Sequence, residues 1–247
     1  MVITSRILQD HLGVNPVIAD YFANKRPVPQ DNLFWKDKRI YLSAGFGFLT
    51  IPFAFDLMFK KGIPLEWLLE DGHVSRMESG FDYLKKFESQ QIDYNTFIQS
   101  CSGLLQGNIK QEHLANDLFA LFSNTASKYF EFETRYNALA RSDFFLFTLV
   151  DLALTDEWII GFLPYWYAVA RPILLLDDFR DLEEDRENGE ENTIIELGND
   201  RNAVEQAIAL GQSDLQKLSE LNAPLSEFIG GLLKDALQYE PVRSMLA

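Results

Sequence analysis

The chain has 247 residues, 47% of them apolar and 24% charged, with a formal net charge of −15 and a pI near 4.6. That much apolar residue excludes a disordered chain, and the acidic balance sets a phosphate backbone at an electrostatic disadvantage, so no nucleic-acid partner is expected. Nine prolines and fourteen glycines leave long uninterrupted stretches, which favours an all-α architecture over a turn-dense β one, organised as a single domain over 1–247 without internal repeats.

Residues 1–37 are broken by Asn15-Pro16, Arg26-Pro27 and Val28-Pro29 into one or two short helices and a loop. A helix is expected over 38–61, where Lys60 and Lys61 complement its C-terminus and Gly62 follows it. Helices over 65–87 and 94–105 come next, then a turn at 107–110. Over 111–141 apolar residues recur at Leu114, Leu118, Leu121, Phe122 and Ala126, which predicts one long helix, or two in line, with helix continuing over 142–154. Thr155 or Asp156 caps the next helix, which Pro164 and Pro172 should kink or divide. Helix then runs over 173–187 until Asn188-Gly189 ends it. A short apolar piece at 192–197 and helices over 202–221 and 225–237 close the chain.

Cys101 is the only cysteine, so no intramolecular disulfide is expected and a reducing, cytoplasmic location fits. The N-terminal residues MVITSRILQDHLG lack the apolar core of a signal peptide. The most apolar stretches, 42–59 and 158–176, carry Asp56 and Pro52 in one case and Arg171 with two prolines in the other. They read as buried helices rather than stable membrane insertions.

The charge is concentrated. From Asp177 to Glu191 there are nine acids and two arginines, a local −7 that calls for a cation. Asp177, Asp181 and Asp185 are four apart, so on a helix they share one face at a rise of about 6 Å per step. Asp178 stands beside them, and the apolar run 173–176 leads in. Such a row suits Mg²⁺, which takes a few hard oxygens and keeps positions for water or phosphate. The alternative is an ordinary solvated acidic face, the reading favoured for Glu183, Glu184, Glu187, Glu190 and Glu191. The three histidines are scattered without metal-ligand spacing, and no nucleophile elbow, P-loop or dinucleotide fingerprint occurs.

Asp177-Asp178, Asp181 and Asp185, followed by Gly189 and Asn192, resemble the second metal-binding segment of class I terpenoid synthases. The run Asp177-Asp178-Phe179-Arg180-Asp181 is equally similar to the aspartate-rich motif of the related trans-prenyltransferases, so cyclase and prenyltransferase both stay open. The resemblance implies an isoprenoid-synthase helical bundle around a central cavity. It also implies a Mg²⁺ cofactor and a prenyl diphosphate substrate that is ionised and then cyclised or transferred; a homodimer is compatible with it.

It implies further site residues. Tyr136 and Arg141 fit a Tyr-x-x-x-x-Arg pattern for sensing diphosphate, with Arg135 as a second candidate; an ordinary surface arginine is the alternative. Asp56, in Phe53-Ala54-Phe55-Asp56-Leu57-Met58-Phe59-Lys60, is the best match to the family's first aspartate-rich motif as a further metal ligand, but that motif's second and third acids are absent. A buried structural aspartate is the other reading of Asp56. Arg243 is similar to a late arginine that closes over diphosphate, or is simply part of the tail.

Of the aromatic residues Phe46, Phe48, Phe53, Phe55, Phe144, Phe145, Phe147, Trp158, Phe162, Trp166 and Tyr167, Phe55 and Phe145 are taken as substrate-facing. The rest serve cavity or core, and Phe144, Phe145 and Phe147 cannot all face one cavity. The degenerate first motif also allows a catalytically inactive relative acting as a regulatory or partner subunit.

Overall fold

The computed structural model describes residues 3–42, 46–123, 125–132 and 136–247, with backbone alone at 46–48. Among these residues there is no strand. The α-helices are α1 (Ser5–Asp10), α2 (Pro16–Asp20), α3 (Phe46–Lys60), α4 (Leu65–Leu68), α5 (Asp71–Glu88), α6 (Tyr94–Leu105) and α7 (Glu112–Phe122). There follow α8 (Asn137–Ala140), α9 (Asp156–Asn188), α10 (Thr193–Glu196), α11 (Arg201–Ser219), α12 (Ala223–Ala236) and α13 (Glu240–Leu246). A π-helical turn, Tyr21–Lys25, follows α2, and a 3-10 helix, Arg141–Leu149, continues α8.

The spine is α9. Its 33 residues start under the Thr155 side chain, which accepts from the Trp158 N–H, and stop at Gly189, whose φ of 70° only glycine adopts without strain. Of the two outcomes expected at Pro164 and Pro172, a kink or a division, division does not occur: the helix runs unbroken through both. Lost proline N–H bonds are tolerated because buried side chains surround the helix between Ile159 and Leu182. Its most apolar window has a mean hydropathy of 1.5, enough by length and composition to cross a membrane, yet 61% of that window is buried inside the bundle. Its apolar faces are taken up chiefly by α3, α11 and α12.

Three expected helices are altered. The helix expected over 38–61 is α3, starting at Phe46 and carrying Pro52 inside it. The one expected over 65–87 is split into α4 and α5, because Glu70 leaves helical geometry to cap α5, accepting from the Gly72 and His73 N–H groups. The long helix over 111–141 does not form. It ends at Phe122, and Asp117, itself only 2% exposed, accepts the N–H groups of Lys128, Tyr129 and Phe130 at 2.8, 2.5 and 2.7 Å. A carboxylate that captures three backbone donors offers this chain segment an alternative to helix.

Of the stretch expected as helix over 142–154, the part up to Leu149 belongs to the 3-10 helix and 150–154 is turn and coil. Ser142 and Thr148 hydroxyls donate to carbonyls three residues back, Leu139 and Phe145, which suits i→i+3 geometry. Two contacts hold it antiparallel to α5. At one end buried Asp151 accepts from His73 Nδ1 at 2.8 Å and Arg76 Nε at 2.6 Å. Burial pushes the Asp151 pKa up, but the His73 and Arg76 donors outweigh it and hold the carboxyl below the usual range. Farther along, α5 comes so close that a Cβ on Gly80 would meet Phe147 Cζ at 2.2 Å.

Replacing Asp117 with Ala should orphan three backbone N–H groups and cost at least about 2 kcal/mol in urea unfolding. Amide exchange at Lys128–Phe130 should rise with it; unchanged protection there would show that the segment is ordered by something else.

Candidate functional site

An apolar cavity of about 200 Å³ lies between α3, α5, the 3-10 helix and α9. Its walls are Thr50 and Ile51 of α3, Phe81 and Leu84 of α5, Ser142, Phe144 and Phe145 of the 3-10 helix, and Trp166, Ala170, Ile173 and Leu174 of α9, with Phe34 and Arg141 completing it. Phe145 stacks on Trp166 with ring centroids 4.7 Å apart and planes 18° apart. Three residues per turn put Arg141 and Phe144 on one ridge and Ser142 and Phe145 on the next, so four neighbours in sequence share one cavity. Phe147, one turn farther along the ridge of Phe144, packs against Gly80 and is off the cavity wall.

Beyond Leu174 the same helix carries the acidic row. Asp177 and Asp181 are exposed and Asp185 half-buried. Arg141 Nη1 lies 3.6 Å from Asp177 Oδ2, and its Nη2 donates to Asp178 Oδ1 at 3.3 Å. Among the described residues Arg141 both borders the cavity and touches the carboxylates.

Asp178, expected among the metal ligands, lies beneath the row and is engaged by neighbouring donors. It is 1% exposed, and its Oδ2 accepts the Thr193 N–H at 3.0 Å while Asn192 Nδ2 donates to its backbone carbonyl at 2.7 Å. Burial pushes its pKa up to about 6, with the Thr193 bonds and Arg141 pulling the other way. Asn192, which the sequence motif singled out, also donates to Asp185 Oδ2 at 2.8 Å and caps α10 by accepting the Ile194 N–H. The Asp181 pKa is raised by partial burial and by the neighbouring charges of Asp177, Asp185 and Glu184.

Mg²⁺ can be tested against this donor set. The row supplies hard oxygens whose mutual repulsion a cation would relieve. Among the described residues no three acid, His or Cys groups converge on one point. The row therefore fits an ion held by one or two carboxylates and completed by phosphate and water, not a closed protein cage.

The remaining candidates lie elsewhere. Asp56 is 0% exposed and its carboxylate is fully engaged by Lys60 Nζ at 2.7 Å, the Asn15 N–H at 2.8 Å and Asn222 Nδ2 at 3.1 Å. Trp158 Nε1 donates to the Lys61 carbonyl, while Ile51 and Ile173 share the cavity, so α3 and α9 are antiparallel. Asp56 is then on the order of 13 Å along the axes from Asp177. It ties the N-terminal segment to α3 and α12 and does not face the acidic row.

Phe55 packs edge-on against Phe22 and beside His73, away from the cavity. Tyr136 is the N-cap residue of α8, half-buried and off the cavity wall. Arg243 is exposed on α13 and pairs with Glu240. Arg135, and the side chains of Phe46 and Phe48, lie outside the described residues. Burial pushes the Cys101 thiol up to about 12, which keeps it protonated at neutral pH. Sequence reasoning missed Phe34, Phe81 and Leu84 on the cavity wall; the i, i+3 spacing of Phe81 and Leu84 was the available signal. It also missed Glu196, whose carboxylate accepts from the Asn137 and Ala138 N–H groups, both at 2.9 Å.

Set against known proteins, the chain matches no family model, no curated protein and no solved structure.

Because the folded Asp178 pKa, about 6, lies above its ordinary 3.8, proton binding favours the fold. Its contribution is full below about pH 4 and is lost as pH rises through about 6, a change on the order of 3 kcal/mol for this buried group. Urea unfolding at pH 4 and pH 7 should therefore show wild type losing stability relative to Asp178→Asn by that order at the higher pH. Parallel pH profiles would remove Asp178 as the titrating group.

Proposed function

We propose that the protein is a class I terpenoid synthase-like enzyme that ionises a prenyl diphosphate with Mg²⁺ and then cyclises or transfers the resulting allylic cation. The observation that carries this reading is the position of Arg141, on the wall of an apolar, aromatic cavity and within reach of Asp177 and Asp178. A prenyl diphosphate has this same division, a long apolar chain ending in a dense anion.

In this reading the isoprenoid chain lies among Phe144, Phe145, Phe81 and Trp166, whose walls exclude water and whose ring faces attract positive charge. Arg141 donates to diphosphate oxygens with its planar fork. One or two carboxylates of the row Asp177, Asp181 and Asp185 would hold Mg²⁺, which when bound supplies Lewis-acid charge neutralisation on the leaving diphosphate. The allylic C–O bond breaks, its electron pair leaves on the diphosphate oxygen, and the cation remains in the apolar cavity. Preorganised charge at the leaving group provides most of the acceleration. A cavity of about 200 Å³ is smaller than the usual ligand pocket of roughly 300 Å³ or more and favours the shorter chains.

A second reading is a protein of this type that binds the chain without turning it over. It is favoured by α3, which carries no acid between Asp37 and Asp56, and Asp56 is consumed by its own hydrogen bonds.

With Mg²⁺ and C10, C15 or C20 prenyl diphosphates, diphosphate release is expected for the shorter chains. Asp181→Ala should abolish it, and Arg141→Ala should lower it by roughly a hundredfold. Metal-dependent binding without release would select the second reading. Absence of both binding and release would end the first reading and the second together.

A further inference from the structure

We propose that Glu196 is the positioning residue for Arg141, and that α10 is the bracket that joins the acidic row to the arginine. This rests on the diphosphate reading above. The chain of contacts closes on itself. Glu196 Oε1 accepts the Ala138 N–H at 2.9 Å and Oε2 accepts the Asn137 N–H at 2.9 Å. The Ala138 carbonyl in turn accepts from Arg141 Nε at 2.9 Å. One peptide unit on either side of Ala138 is thus fixed at its nitrogen by Glu196 and at its oxygen by the guanidinium.

The fork that remains, Nη1 and Nη2, faces Asp177 and Asp178. Asp178 accepts from the Thr193 N–H at the other end of the same short helix, and Asn192 seats that helix on the Asp178 carbonyl and on Asp185.

The physical need for such a residue is plain. Arg141 is half-exposed, with 48% of its side chain accessible, and a long side chain loses rotamer entropy on being held. The segment before it has no side-chain cap of its own, since Tyr136 at the N-cap position makes no such bond. Without Glu196 the first N–H groups of α8 turn to water, the Ala138 peptide is free to rotate, and Arg141 loses the acceptor that aims its fork. Glu196 belongs to a different element and lies 55 residues beyond Arg141 in the chain. It therefore transmits the position of the acidic row to the arginine through two hydrogen-bonded steps. Glutamine at this position keeps one acceptor and presents an NH₂ group to the second N–H; aspartate keeps both oxygens on a shorter arm.

The test uses inorganic pyrophosphate with Mg²⁺, titrated calorimetrically into the full-length protein. Glu196→Gln should weaken binding about tenfold, and Glu196→Asp by less. In an Arg141→Ala background Glu196→Gln should have no further effect, because it acts only through the guanidinium. Additive losses, or an unchanged affinity in Glu196→Gln where Arg141→Ala is weakened, would overturn the proposal. If the wild-type chain binds no pyrophosphate, the diphosphate reading falls by itself. The positioning role is then read from amide exchange at Asn137 and Ala138 and from the Arg141 Nε resonance. Faster exchange with a shifted Nε signal in Glu196→Gln supports it, and unchanged spectra overturn it.

Discussion

A carboxylate that is 1% exposed on the central helix sets the terms for one whole end of the molecule. Asp178 is carried into the core by the apolar lead-in Ile173, Leu175 and Leu176, and a buried charge persists only where donors surround it. It finds them in Arg141 and the Thr193 N–H. Each donor drags its own element into place, the 3-10 helix in one case and α10 in the other. The acidic row, the arginine and the cavity mouth are neighbours because this one group had to be satisfied. The solution is incomplete, as the raised pKa records. The exposed carboxylates beside it repel one another and are relieved only partly by Arg141.

The bundle manages its other buried acids in the same way, each as a tie between elements distant in sequence. Asp56 joins the N-terminal segment, α3 and the Asn222 cap of α12. Asp151 joins α5 to the end of the 3-10 helix. Asp214 on α11 pairs with Arg171 on α9, whose guanidinium lies over the Tyr167 ring, and the Tyr167 hydroxyl donates to Asp143. Breaking one partner of such a pair leaves an uncompensated buried charge and costs far more than the intact pair is worth against an apolar substitute.

The two halves of the site obey different physics. The cavity wall is held by packing: Gly80 admits the 3-10 helix to within contact of α5, and Phe145 is stacked flat on Trp166. The polar rim is held by hydrogen bonds around α10. A 3-10 helix nine residues long is uncommon because its side chains eclipse every third residue. Here the eclipse is what turns Arg141 and Phe144 to the same side.

Helical class, a cap for α9 at Thr155 or Asp156, its end at Gly189 and the one-faced row Asp177, Asp181 and Asp185 were legible in the sequence, because capping and the 3.6-residue period are local. Arg141 was singled out in the sequence only as a candidate for sensing diphosphate; its contact with Asp177 and Asp178 came from the tertiary structure. What only the tertiary structure decided is which acids are spent. Asp178 and Asp56 look in sequence like members of a metal site, yet burial and partners from remote segments (Thr193, Asn15, Asn222) convert them to structural ties. The long helix expected after Glu112 failed for the same reason, since Asp117 bonds backbone groups eleven to thirteen residues ahead. Local periodicity reports where side chains point along one helix. Which donors arrive there depends on segments tens of residues away, and no spacing within the chain encodes that.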